Sequence, residues 1–186
     1  DGDINSVPAR VSGRIGYAQN FSNQSGMWDF IDTGQNSVLD ISGNQITLES
    51  WVQHAVTTHR NSSVLQDFYG ILNHKGWYDG YSIWMQGDHW QCPTPQPNCV
   101  QFNLPGESSS LRTNAVLSGG AWHHVAGTYD GKTMRVFIDG REDSMTLAKT
   151  DAITPASFQR DVWIGHGDQP ADVDWSAPWE GLLDEV

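Results

Sequence analysis

Positive charge is scarce in this sequence. Ten Lys and Arg stand against 22 Asp and Glu in 186 residues, a formal charge of −12 with His neutral. Phosphate-binding surfaces need a surplus of Lys and Arg, so nucleic acid is excluded as a partner, and an anionic membrane surface with it. Apolar runs of about 18 residues are missing, so membrane insertion by a helix is excluded too. Charged residues are only 17% of the chain. That does not mean disorder, because nine Trp, five Tyr and six Phe supply the area a core needs. With 19 Gly and eight Pro, turns are well served and helices poorly served.

Common catalytic signatures are also missing. No strand carries the alternating Glu-x-Asp-x-x-Glu that points two carboxylates into one sugar-cleaving cleft. Glu49 stands alone, and the adjacent Asp184 and Glu185 face opposite sides of a strand. No Gly-x-Ser-x-Gly elbow occurs. His123 and His124 are neighbours whose rings diverge on a strand, and His54, His74, His89 and His166 lack metal-ligand spacing. The acidic group Asp168, Asp172 and Asp174 lacks the regular spacing of a calcium loop and reads as solvated.

Cysteine is nearly absent. Cys92 and Cys99 flank Pro-Thr-Pro-Gln-Pro-Asn. A disulfide closing this stiff loop is the preferred reading over two free thiols, since two Cys make a poor zinc site and the spacing is too long for a redox pair. It implies an oxidising compartment, and hence an extracellular or cell-surface location.

What is present is strand after strand. Residues 1–13 are polar and read as a linker arm, and 14–186 as the folded domain. In Ile46–Gln53, residues Ile46, Leu48, Ser50 and Val52 fall on one face and Thr47, Glu49, Trp51 and Gln53 on the other. Trp122–Tyr129 and Thr133–Ile138 are each followed by Asp-Gly, the signal of consecutive hairpins. Phe68–His74 and Gly80–Met85 form a further pair of strands. Ten to twelve strands without a convincing helix point to an all-β antiparallel sandwich of jelly-roll type.

Trp28, Trp51, Trp122 and Trp163 lie inside strand patterns and belong in the core or half-buried, while the facing of Trp84 stays open. Trp77, Tyr78, Trp90, Trp175 and Trp179 lie in or beside loops. Exposed rings of this kind suit the apolar face of a pyranose, with Asp, Asn and Gln for its hydroxyls. Cover of the sandwich by these rings is the alternative.

Ile46-Thr-Leu-Glu-Ser-Trp-Val52, Gly70-Ile-Leu-Asn-His-Lys-Gly76, Trp122-His-His-Val-Ala-Gly-Thr-Tyr-Asp-Gly131, Met134-Arg-Val-Phe-Ile-Asp-Gly140 and Gly181-Leu-Leu-Asp-Glu-Val186 occur in one order along the chain. Together they resemble the laminin-G-like, concanavalin A-like jelly-roll modules. The resemblance implies the sandwich fold and a calcium ion tying the first strands to the last. Its anchor falls on Asp184, with Asn20 and Asn23 around the Phe21-Ser22-Asn23 turn as partners. It also implies one of His123 and His124 facing the core and the other the solvent side. The fold hosts several functions. A carbohydrate-binding module taking a polysaccharide or glycan is the leading expectation. A protein-interaction or adhesion module, a glycoside hydrolase or lyase, and a passive spacer are the alternatives.

Overall fold

The structure is a computed structural model that describes residues 5–22, 28–34, 36–55, 68–74, 80–87, 92–106, 109–154, 161–167, 176–177 and 179–186. Its strands in chain order are β1 (Asn5–Ser6), β2 (Ala9–Ser12), β3 (Tyr17–Phe21), β4 (Trp28–Asp29), β5 (Ile31–Asp32), β6 (Ile46–His54), β7 (Phe68–His74) and β8 (Ser82–Gln86). They continue as β9 (Cys99–Asn103), β10 (Ser110–Val116), β11 (His123–Tyr129), β12 (Thr133–Ile138), β13 (Arg141–Ala148), β14 (Val162–Ile164), β15 (Ser176–Ala177) and β16 (Gly181–Asp184). Among the described residues the only helix is a single 3-10 turn, Ser37–Leu39, capped by the Asn36 side chain. No helix there is long and apolar enough to cross a membrane.

Two sheets make the sandwich. One has the order β10-β9-β8-β7-β14-β5, with β15 also paired to β7; the other has the order β13-β12-β11-β6-β16-β3-β2. Pairing is antiparallel throughout except at β15–β7 and in the small β1–β4 pair. Residues 9–12, which composition assigned to a linker arm, form the outermost strand of the second sheet against β3. The short segment is polar because it pairs at an edge, where backbone bonds rather than apolar side chains hold it.

Alternation builds the core. Strand β6 follows the expected pattern, with Leu48, Ser50 and Val52 buried and Thr47 and Glu49 exposed. Val52, Val125, Val136 and Leu183 from the second sheet meet Ile71, Ile83, Val100 and Phe102 from the first, none more than 2% exposed. Each such side chain stabilises the fold by about 1.5–3 kcal/mol when fully buried. The sheets approach closely at Gly127 on β11, where an added Cβ would lie 2.6 Å from the Phe102 ring.

The two Asp-Gly turns make their hairpins, β11–β12 and β12–β13. Asp139 and Gly140 take φ of 53° and 76°, the left-handed pair that matches the twist of a two-residue hairpin. The C-terminal strand β16 lies between β6 and β3. Its Asp184 carboxylate, 4% exposed, accepts the Ile15 N–H at 2.8 Å.

Cys92 and Cys99 are joined, with Cα atoms 5.9 Å apart. Cys99 pairs in register with Gln86, so the bridge holds the proline-rich loop to the end of β9. Closing so short a loop removes chain entropy worth about 2.5 kcal/mol from the unfolded state. Reduction with dithiothreitol is expected to lower the denaturant midpoint accordingly, with an unchanged slope. Cys92→Ser/Cys99→Ser should reproduce the loss.

Candidate functional site

Strand alternation decides what the first sheet turns away from the core. Ile83 and Met85 of β8 point inward, so Ser82, Trp84 and Gln86 point outward. By the same rule Val100 and Phe102 of β9 are core, and Cys99, Gln101 and Asn103 face out. Cross-strand register then arranges the outer face in rows. One row reads Asp32, Trp163, Asn73, Ser82, Asn103, Ser110. The next reads Gly70, Trp84, Gln101, Arg112. A third places Phe68 beside Gln86.

The rows are bonded across the strands. Gln101 Nε2 donates to Asn103 Oδ1 at 2.6 Å and to Ser110 Oγ at 2.7 Å. Asn103 Nδ2 donates to Ser82 Oγ at 2.8 Å, and Arg112 Nε to Gln101 Oε1 at 2.9 Å. Gln86 Nε2 and Ser110 Oγ complete the net with bonds to Gln101 Oε1 and Asn103 Oδ1. Trp84 stands in the middle, edge-on to Phe68 at 5.3 Å between centroids. The centre of this face is closed to solvent, since Ser82, Trp84, Gln101 and Asn103 are at most 1% exposed. At Gly70 the backbone of His166 and Gly167 crosses so close that a Cβ would meet it at 2.1 Å.

The face becomes accessible at its β14–β5 edge. Phe30 and Trp163, both half-buried, lie 5.2 Å apart, and His166 lies 5.4 Å from Phe30 and 5.6 Å from Trp163. Asp32 is exposed beside them. Among the described residues, four buried polar atoms of the face have no hydrogen-bond partner: Trp163 Nε1, Asn73 Oδ1, Gln86 Oε1 and Asp161 Oδ1. Buried groups of this kind cost free energy unless something bonds them. Burial pushes the Asp161 carboxyl above its ordinary value, and the charge of Asp32 and a hydrogen bond to it push the same way.

The residues expected to form a site fall in three groups. Trp77, Tyr78, Trp90, Trp175, Asn23 and the acidic group Asp168, Asp172 and Asp174 lie outside the described residues. Trp179 does not lie at the surface but in the core, 1% exposed, with its backbone N–H donating to Gly165 O at 2.8 Å and its ring edge-on to His54. It precedes Gly181, which makes it look like a loop residue, yet it opens the buried last strand. Asp184 and Asn20 lie on adjacent strands and on one face of the second sheet. Asp184 spends one oxygen on Ile15, and no group of three His, Cys, Asp or Glu among the described residues could hold a metal.

His123 and His124 diverge as expected: His123 shares the inner face of β11 with Val125 and pairs with Val52, at the end of the sandwich, while His124 is on the outer face beside Trp51. His123 bonds Asp139 and Ser118, while His124 lies against Trp51 and 3.7 Å from Glu49. The polar rows and the Phe30–Trp163 edge went unread in the sequence. Their signal is the alternation Ser82-x-Trp84-x-Gln86 and Cys99-x-Gln101-x-Asn103, polar against apolar with period two.

No curated protein sequence matches the chain. Among solved structures, domain 4 of AbnA, a GH43 extracellular arabinanase from Geobacillus stearothermophilus in complex with arabinotriose, is similar at 21% identity and a TM-score of 0.59, covering 96% of this chain and 73% of that one. A candidate carbohydrate binding protein from Bacteroides ovatus is similar at 19% identity and a TM-score of 0.63, covering 91% of this chain and 42% of that one. The binding domain of Botulinum neurotoxin serotype G is similar at 14% identity and a TM-score of 0.55, covering 96% of this chain and 42% of that one. At these identities the likeness is one of fold. The model of the concanavalin A-like lectin/glucanases superfamily matches residues 26–186, and the chain belongs to that superfamily.

Proposed function

We propose that the domain is a carbohydrate-binding module of an extracellular protein, holding a neutral glycan at the β14–β5 edge of the first sheet's outer face. The observation that carries this reading is the half-buried Phe30–Trp163 pair beside Trp163 Nε1 and Asn73 Oδ1, which have no hydrogen-bond partner among the described residues. An aromatic face takes the C–H side of a sugar ring, and an orphaned donor and acceptor take its hydroxyls. Asp32 supplies a further acceptor at the rim. The net charge of −12 favours neutral sugars over anionic ones. The arabinotriose held by the AbnA domain supports the reading at the level of what this architecture accommodates. Trp77, Tyr78, Trp90 and Trp175 belong to the same proposal as additional platforms. An extracellular location is supported by the Cys92–Cys99 bridge.

Retention on a panel of neutral polysaccharides in affinity gels tests the module. Losing an aromatic contact costs about 0.5–1.5 kcal/mol, so Trp163→Ala, assayed well below its melting transition, is expected to weaken binding several-fold to tenfold. No retention by any polysaccharide of the panel overturns the proposal.

Asp161 adds a pH signature at this edge. Its folded-state pKa is raised above the ordinary 3.8. Its contribution to stability is therefore complete below that value and is lost as pH rises through the raised one. Asp161→Asn removes the loss, so it is expected to raise the melting temperature at about pH 7 and to leave it unchanged at about pH 3. Equal effects at both pH values would contradict the assignment.

Calcium at Asp184 is also a proposal. The ion takes about six to eight oxygens. The described residues around Asp184 do not supply that shell by themselves, so the remaining ligands, Asn23 among them, would come from outside the described residues. A bound structural ion makes chelation with EDTA lower the melting temperature by several degrees. An unchanged melting curve removes the ion and leaves the Ile15–Asp184 hydrogen bond as the observed tie.

A further inference from the structure

The turn between β10 and β11 brings a serine, a histidine and an aspartate into line. Ser118 Oγ lies 2.8 Å from His123 Nε2, and His123 Nδ1 lies 2.8 Å from Asp139 Oδ2. The other oxygen of Asp139 accepts the His124 N–H at 2.9 Å, which fixes the carboxylate against the β12–β13 turn. Ser118 is exposed, and the His123 and Asp139 side chains are 14% and 50% exposed.

One bond settles the histidine tautomer. The Ser118 backbone N–H donates to His123 Nε2 at 3.2 Å. A backbone amide can only donate, so Nε2 carries a lone pair and the ring proton sits on Nδ1, directed at Asp139. This is the form of imidazole that can accept a proton from a serine hydroxyl. Burial acts to raise the Asp139 pKa, but the bonds from His123 and His124 N–H prevail and hold it below its ordinary value, so the carboxylate stays charged. Its placement is further fixed by the left-handed backbone of Asp139, φ 53°, in the tight turn.

We propose that Ser118, His123 and Asp139 form a nucleophilic site for acyl transfer, acting on esters that reach the turn from solvent. Three groups bonded in series, nucleophile to base to orienting acid, are the requirement for activating a serine, whatever the fold that presents them. Ser118 Oγ attacks the ester carbonyl carbon while its proton passes to His123 Nε2. The carbonyl–alkoxy bond then breaks, and the departing alkoxide takes that proton. Water, deprotonated by the same Nε2, attacks the acyl-serine carbonyl, and its proton returns to Ser118 Oγ as the carboxylic acid is released. Ser118 and Gly120 are exposed in the turn, so an ester reaches the Ser118 hydroxyl directly from solvent.

The probes are a fluorophosphonate and p-nitrophenyl acetate, applied to the intact domain and followed by intact mass and peptide mapping. The expected result is one stoichiometric fluorophosphonate adduct on Ser118, absent in Ser118→Ala. Ester turnover should fall at least tenfold in that variant at an unchanged melting temperature. Asp139→Asn should slow labelling. Glycan retention is unaffected by Ser118→Ala, which separates this site from the Trp163 edge. Absence of an adduct in the folded wild-type domain, equal labelling of Ser118→Ala, or labelling unaffected by Asp139→Asn overturns the proposal.

Discussion

The architecture depends on the insertion of its last strand. β16 pairs with β6 on one side and β3 on the other, so four residues at the end of the chain join the N-terminal strands to the hairpin stack β11–β12–β13. Without β16, β2 and β3 would pair only with each other and be cut off from β6. The join is tight. Gly181 has φ of 129° and passes so near Gln53 O that a Cβ would sit 2.1 Å from it. Leu183 reaches the core from the same strand, and Asp184 holds the Ile15 backbone on the opposite face. One strand thus joins ends of the chain that are 169 residues apart. Such a contact closes a long loop and is slow to form, although closure entropy grows only slowly with loop length.

Once the second sheet is closed, the first can use both of its faces. Its inner face is apolar and its outer face carries amides and hydroxyls. A buried polar net of this kind costs desolvation and returns it only when its members are bonded. Gln101 meets that condition through bonds to Gln86, Asn103, Ser110 and Arg112. The condition fails at Asn73 Oδ1 and Trp163 Nε1, which lie toward the accessible edge. Both atoms are buried just behind that edge, and packing alone would favour apolar side chains there.

The local parts of this fold were legible. Period-two alternation identified β6, and the Asp-Gly pairs located the hairpins, because a two-residue turn with positive φ needs those residue types. The Cys92–Cys99 spacing likewise encoded a local loop. What escaped was non-local. The polar face requires β14 to lie between β7 and β5, strands far apart in sequence, and no residue of Val162–Ile164 announces either neighbour. Trp163 therefore read as one more aromatic in a strand, although its register with Asp32 and Asn73 puts it near the edge of the outer face. Trp179 failed in the opposite sense, since its Gly and Pro neighbourhood resembles a loop while its backbone bond to Gly165 draws the ring into the core.

The same hairpin chemistry that made β11–β13 easy to read also brings His123 and Asp139 together. Asp139 is at the turn because a left-handed residue is needed before Gly140, and its carboxylate then lies beside the start of β11, where it bonds both His123 and the His124 amide. A turn aspartate that only capped the hairpin would need one of those bonds. The second fixes an imidazole whose remaining nitrogen faces an exposed serine hydroxyl. Structural support and proton transfer are compatible here, because the bond that steadies the ring is also the one that would stabilise it when protonated. The geometry therefore permits chemistry at a position where the fold already needs an aspartate, with Ser118 and His123 as the only additions.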